Sequence, residues 1–351
     1  MKTKLIIAAV AFQVAVLAFV AGQREWILRT GRVILLRTAP LDPRDVMRGD
    51  YVRLEYEISQ VDRALWRDGL RTNHLAALAR RGTRVYGLLR VAEDGLAQLV
   101  ALTDRRPAQG PFIRGHLEPS WGQAARVRWG IEAFFMEQGK ARELEEQRTQ
   151  QRRGVPLNME VALGPNGIAV LKGYRWESLG ITVSLLTTNF QAAAPGTDPR
   201  PSWRETAVIG ARVKLQNHGP DDTAIVKLVP GRSLALVPDT GWGPDNPWQW
   251  AGEGQPTPPP RAEDLIVLKP GQSHELTVDF RDPVWFVVNT KDKQASAVPR
   301  SLADLHREWT ARFRFEYRPP PPELCRGLPH QKLIWHRRLR SRAFSPTGTI
   351  D

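Results

Sequence analysis

Ten residues, Gly49-Asp50-Tyr51-Val52-Arg53-Leu54-Glu55-Tyr56-Glu57-Ile58, constrain the fold of this chain more than any other stretch. Val52, Leu54, Tyr56 and Ile58 share one side of an extended backbone, and Tyr51, Arg53, Glu55 and Glu57 share the other. A period of two is the mark of a half-buried antiparallel strand. Gly49-Asp50 supplies a tight turn into that strand, because Gly tolerates a positive φ and Asp bonds its own backbone. A second turn-forming run, Ala39-Pro40-Leu41-Asp42-Pro43-Arg44-Asp45, precedes it. The reading is a β-strand launched from a stiff, charged turn.

Upstream, Leu5 to Gly22 is apolar except for Gln13, with Lys2 and Lys4 ahead of it. About eighteen such residues approach the length that spans a bilayer as a helix. A basic start, an apolar middle and small residues at Ala21-Gly22 also fit a signal segment. An uncleaved N-terminal anchor is the favoured reading. Arg24 to Thr30 continues it, with Trp26 placed for the membrane interface. Lys2 and Lys4 favour a cytoplasmic N-terminus, whereas Arg24, Arg29 and Arg32 pull the other way. Long domains translocate with little regard for charge, so the bulk of the chain is expected outside the cytoplasm.

Beyond the anchor the chain reads as mainly β. Residues 31–173 form a β-rich α+β domain. Strands are predicted at Val33–Leu36, Arg84–Val91 and Leu96–Thr103, the last two as a hairpin, then at Pro111–Leu117 and Ala125–Ile131. Val61 to Arg81 reads as an irregular helical insertion. Glu137 to Arg153 reads as a solvated helix, with Glu143 and Gln147 at helical spacing. Val155–Leu163 and Ile168–Leu171, joined by Gly164-Pro165-Asn166-Gly167, form a second hairpin. Residues 174–320 hold short strands broken by Gly, Pro, Asn and Asp, which predicts an Ig-like antiparallel β-sandwich. Pro256–Pro260 and Pro319–Pro322 mark a loop and the exit from the sandwich. Residues 321–351 are expected to form a basic, disordered tail.

The composition narrows the chemistry. Lys and Arg number 50 against 37 acids, a formal charge of +13, which favours acidic partners such as anionic lipid. The basic residues are interleaved with acids and no nucleic-acid module is present, so nucleic acid is not expected as a partner. One cysteine, Cys325, excludes an internal disulfide. The seven histidines are scattered, and no pair stands at helical spacing with a carboxylate, so no metal and no cofactor is expected. No glycine loop cradles a phosphate and no serine stands in a nucleophile elbow. Asp42, Asp45, Asp50, Glu55 and Glu57 alternate with Arg44, Arg48 and Arg53, which suits an ion-paired turn better than a catalytic or hard-cation site. The remaining candidate is Gly241 to Trp250, where Trp242, Trp248 and Trp250 stand in a Pro/Gly loop and offer flat platforms for a glycan or peptide.

The motif Gly49-Asp50-Tyr51-x-x-Leu54-x-Tyr56 resembles the signature of the GDYxxLxY family. Pro40-x-Asp42-Pro43-Arg44 ahead of it agrees, and so does the later block Gly130-Ile131-Glu132-Ala133-Phe134-Phe135 leading into Glu137 to Glu145. The similarity covers about Gly31 to Gly173. It implies a membrane-anchored bacterial protein without an assigned activity. The Val61–Arg81 insertion and the C-terminal β-rich half lie outside the family pattern. A membrane helix followed by a Pro turn and Gly-Asp also looks like the start of Ser/Lys signal peptidases. Here Thr38 stands in the corresponding stretch, with no serine and no lysine on an early strand. The expectation is therefore a non-enzymatic envelope protein with no catalytic residues, which binds an integral membrane or envelope protein. Glycan or peptidoglycan binding is the alternative, and a signal-peptidase-like hydrolase the third reading.

Overall fold

The computed structural model describes residues 2–39, 51–71, 79, 81–119, 125–135, 143–144, 146–147, 154–187, 208–239, 246–254, 258–290 and 298–350. The apolar N-terminal run forms one uninterrupted helix, α1 (Lys2–Thr30), of 29 residues. At 1.5 Å per residue it is about 43 Å long, more than the roughly 30 Å hydrocarbon core of a bilayer. The apolar side chains from Leu5 to Val20 face outward. Only near its end does the helix dock: Ile27 is fully buried while Trp26 stays half exposed. The helix stops at Gly31. A Cβ there would lie 2.5 Å from the Ile27 carbonyl oxygen and 2.9 Å from that of Leu163, so only glycine lets the helix end abut the strand below it.

The chain forms two units, Met1–Arg142 with Leu157–Trp176, and Glu143–Pro156 with Glu177–Asp351. The predicted 137–153 helix is described at residues 143–144 and 146–147, which are helical. Gln147 donates there to Glu143 Oε1 at 3.1 Å, and Leu144 is buried.

The strands of the first unit are β1 (Arg32–Arg37), β2 (Tyr51–Arg53), β3 (Gln60–Val61), β4 (Arg84–Val91), β5 (Ala97–Thr103), β6 (Phe112–Glu118), β7 (Ala125–Arg128), β8 (Ala133–Phe135), β9 (Leu157–Leu163) and β10 (Ala169–Trp176). They pair antiparallel as β1-β9-β10, β2-β8 and β3-β7-β6-β4-β5. Both predicted hairpins are present. At the second, Gly167 takes φ 75° and Asn166 Oδ1 accepts the Ile168 N–H, the chemistry that a tight turn requires. In the Val61–Arg81 stretch the described residues form short 3-10 turns at Arg63–Leu65 and Asp68–Arg71, and Ala79 is helical.

The second unit contains β11 (Leu179–Thr187), β12 (Val208–Asn217), β13 (Thr223–Val226), β14 (Leu234–Pro238), β15 (Trp248–Trp250), β16 (Leu265–Leu268), β17 (Ser273–Asp279), β18 (Val287–Asn289), β19 (Phe313–Tyr317) and β20 (Leu339–Arg340). These pair as β11-β12-β17, β13-β16, β14-β19-β20 and β15-β18, all antiparallel. The fold is thus mainly β, built of several antiparallel sheets behind one apolar helix. One continuous core joins Ile181, Val213, Leu236, Phe280, Trp285 and Phe315 in the second unit.

The C-terminal stretch corrects the expectation of a disordered tail. Residues 321–350 are ordered and supply that core. β20 pairs with β19, and Phe344 exchanges both backbone hydrogen bonds with Phe313. The Phe344 ring stacks on Phe315 at 5.0 Å and on Phe280 at 5.8 Å. The basic run hides an apolar set: Ile334, Trp335, Leu339 and Phe344 turn inward while the arginines between them stay at the surface. Two of those arginines serve Glu316, a carboxylate buried on β19. Arg340 bonds it at 2.5 Å and Arg338 approaches to 3.7 Å, joined by Arg318 at 2.7 Å. Burial alone would raise its pKa. The charge and hydrogen bond of Arg340, with those of Arg318, outweigh burial and hold it below the ordinary glutamate value of 4.5. A depressed folded-state pKa stabilises above the unfolded value and is lost as pH falls through the folded one. The second unit is therefore expected to lose stability on acidification below pH 4.5. In Glu316→Gln this acid limb should flatten; melting temperature measured against pH checks it.

Candidate functional site

The signature motif was the first candidate for a site, and it is best built outward from its described residues. Gly49, Asp50, Pro40, Asp42, Pro43 and Arg44 lie outside the described residues, as do Asp45 and Arg48. Tyr51 opens β2, which pairs with β8 through Tyr51↔Phe135, Val52↔Phe134 and Arg53↔Ala133. The regular strand ends there, shorter than the ten residues predicted. The Leu54 N–H then donates to the Glu132 carbonyl at 2.7 Å. Tyr56 forms an isolated bridge with Thr38, and Glu57–Ser59 closes into a 3-10 turn. The alternation survives all the same: Leu54, Tyr56 and Ile58 are buried, and Glu57 is exposed.

Tyr56 is the centre of this arrangement. Its hydroxyl donates to the Ile131 carbonyl at 2.7 Å. Burial, and then the Glu132 carboxylate, push its ionisation well above the ordinary tyrosine range. Glu132 itself accepts the N–H groups of Trp129 at 2.5 Å and Gly130 at 2.9 Å, which fixes the turn that presents the Ile131 carbonyl. Trp129 returns the contact by donating its indole N–H to the Ile58 carbonyl at 3.3 Å. The two segments therefore clasp each other through three hydrogen bonds, each satisfying a donor and an acceptor.

Of the acids and arginines of the expected ion-paired turn, only Glu55 and Glu57 have described side chains. Glu55 faces Arg126 at 3.8 Å, and Arg126 and Arg128 both approach Glu118 at 3.5 Å. These described partners come from β6 and β7, across the sheet. Glu132, Arg126 and Glu118 were not legible as parts of this cluster. The one local signal was a glutamate three residues after Trp129, placed to accept the turn's own N–H groups. Thr38, the residue standing where a nucleophile would, is buried and donates its hydroxyl to the Leu157 carbonyl at 3.0 Å.

Two of the three platform tryptophans are buried. Trp242 lies outside the described residues. Trp248 and Trp250 are 2% and 5% exposed, so neither offers a face to a glycan. Trp250 donates its indole N–H to the Val284 carbonyl at 2.7 Å and stacks on Trp285 at 6.1 Å. The Arg300 guanidinium covers Trp248 at 5.3 Å. Their spacing at 248 and 250 is strand alternation: β15 turns both indoles into the core and leaves Gln249 exposed between them. Cys325 is buried with Ala224 and Ile334, and burial, then Glu323, push its thiol pKa up, away from nucleophilic character.

Comparison with known proteins agrees with this picture at its N-terminal end. Residues 13–173 match the family model described as GDYXXLXY protein. The match begins inside α1 and ends on β10, so it takes in the anchor-like helix as well as the motif and the clasp. No curated protein and no solved structure matches the chain. By the match, the motif at Tyr51, Leu54 and Tyr56, and the helix that precedes it, residues 13–173 are similar to the GDYXXLXY protein family.

Proposed function

We propose that this protein is a non-enzymatic component of the bacterial cell envelope. In this reading α1 holds it in the inner membrane, both units lie on the periplasmic side, and its role is to bind or scaffold another envelope protein. The observation that carries the reading is α1: a helix of 29 residues whose apolar middle is covered by nothing among the described residues. A surface of that kind is stable in hydrocarbon and costly in water.

Two further features favour a binding role over catalysis. The Tyr56 and Thr38 hydroxyls spend their hydrogen bonds on backbone carbonyls, as structural groups do. Surface hydrophobes stand elsewhere: Trp309 is 70% and Val298 75% exposed, and an Arg300–Glu308 ion pair at 3.7 Å draws their two segments together. An exposed tryptophan beside an arginine is the composition of an interface hot spot.

Crosslinking in cells followed by purification of the full-length chain tests the proposal. The expected product is a discrete covalent complex with an integral membrane or envelope protein. Trp309→Ala should lower its yield by about tenfold or more at an unchanged melting temperature. Recovery of the protein alone from crosslinked cells would contradict the binding role. A C-terminal reporter that is active only outside the cytoplasm should be active, and its silence would contradict the placement.

A further inference from the structure

A groove of about 500 Å³ opens at the foot of α1, lined by Trp26, Arg32, Pro111, Phe112, Leu163 and Pro165 among others. Its volume falls within the range of small-ligand sites, and its place in the molecule says what kind of ligand is near. Gly22 ends the apolar run of α1. Trp26 and Thr30 follow it four and eight residues later, about 6 and 12 Å along the helix axis. The polar headgroup layer on each side of a bilayer is about 5–8 Å deep. The groove therefore begins inside the headgroup layer and opens just above it.

Its chemistry is divided to match. Trp26, Pro111, Phe112, Leu163 and Pro165 give an apolar floor. Two arginines stand over it. Arg32 is exposed on the rim. Arg106, also exposed, lays its guanidinium 6.0 Å over the Phe112 ring and donates to the Pro165 carbonyl at 3.3 Å; neither contact neutralises its charge. By contrast Arg29, on the same end of the helix, is tied to Glu25 at 2.7 Å. We propose that the groove takes the headgroup of an anionic phospholipid from the leaflet that α1 leaves. Arg32 and Arg106 hold the phosphate, and the apolar floor holds the glycerol end of the chains. The lipid would fix the angle at which the first unit stands on the membrane. This inference rests on the anchored reading of α1.

The test uses the full-length protein in nanodiscs of phosphatidylcholine. A minor fraction of either phosphatidylglycerol or phosphatidylcholine carries a photoactivatable group near the headgroup, and the labelled peptides are mapped by mass spectrometry. Labelling by the anionic probe should concentrate on residues 106–112 and 163–165 and exceed that of the neutral probe. It should fall about fivefold for each arginine removed in Arg32→Gln and Arg106→Gln, with the melting temperature unchanged. Equal labelling by the two probes, or labelling indifferent to both substitutions, overturns the lipid site. A carbonate wash separates the two readings. Protein that washes off the bilayer overturns the anchor and the lipid site with it. Protein that stays, yet shows no preference for the anionic probe, overturns the lipid site alone.

Discussion

A chain ending at Pro320 is expected to lose the cooperative unfolding transition of its second unit. The residues removed look like a solvated basic tail, yet they complete a hydrophobic core. Phe344 stacks on both Phe315 and Phe280, Leu339 is fully buried, and Trp335 is nearly so. The Trp335 N–H donates to the Ala224 carbonyl at 2.8 Å, and Ser341 Oγ accepts the Phe315 N–H at 3.0 Å. Truncation would expose β19 on one edge and leave Glu316 without Arg338 and Arg340. A single substitution gives the graded version. Phe344→Ala should cost about 3–5 kcal/mol, the range for an aromatic deleted from a packed interior. Domains hold only about 5–15 kcal/mol in reserve, so the truncation should not fold. Denaturant titration of the full-length chain in detergent, following the second unit by tryptophan fluorescence, checks both. An unchanged transition in the truncated chain would show that the stretch is dispensable.

The second large effect is expected at the signature tyrosine. Tyr56→Phe removes the hydroxyl that donates to the Ile131 carbonyl and leaves a buried acceptor without its donor. The cost should be about 1–3 kcal/mol. Tyr56→Ala also opens a cavity in the first unit, and about 3–5 kcal/mol is expected. The two units should unfold in separate steps, since a two-domain chain need not be two-state. The loss should appear in the first unit's transition and leave the second unit's midpoint in place. A shift confined to the second unit would contradict the placement of Tyr56.

Much of this architecture was legible because it follows from local rules. Period-two burial, Gly-Asn turns and a long apolar run each act within a few residues, so the helix, both hairpins and the buried face of Leu54, Tyr56 and Ile58 could be read directly. What escaped depends on pairing between distant segments. The clasp joins residues 54–58 to residues 129–132, and nothing near Tyr56 names Ile131 as its acceptor. Arg126 and Arg128 meet Glu118 and Glu55 only once the sheet is assembled. The C-terminal stretch misled for a related reason. Its arginine density masked four inward residues whose neighbours, Phe280, Phe315 and Ala224, lie tens of residues away. The tryptophans at 248 and 250 read as a ligand platform because Pro and Gly surround them. Their spacing of two was the better signal, since it turns both side chains of a short strand to one face.

The motif thus becomes a folding element whose tyrosine locks a turn. Hydrogen exchange of the full-length protein in detergent, wild type against Tyr56→Phe, tests this most directly. The lock predicts that residues 54–61 and 129–135 lose protection together, while the second unit exchanges as before. Unchanged protection in both segments, with capture of the envelope partner abolished, would contradict it and make Tyr56 part of a binding surface instead.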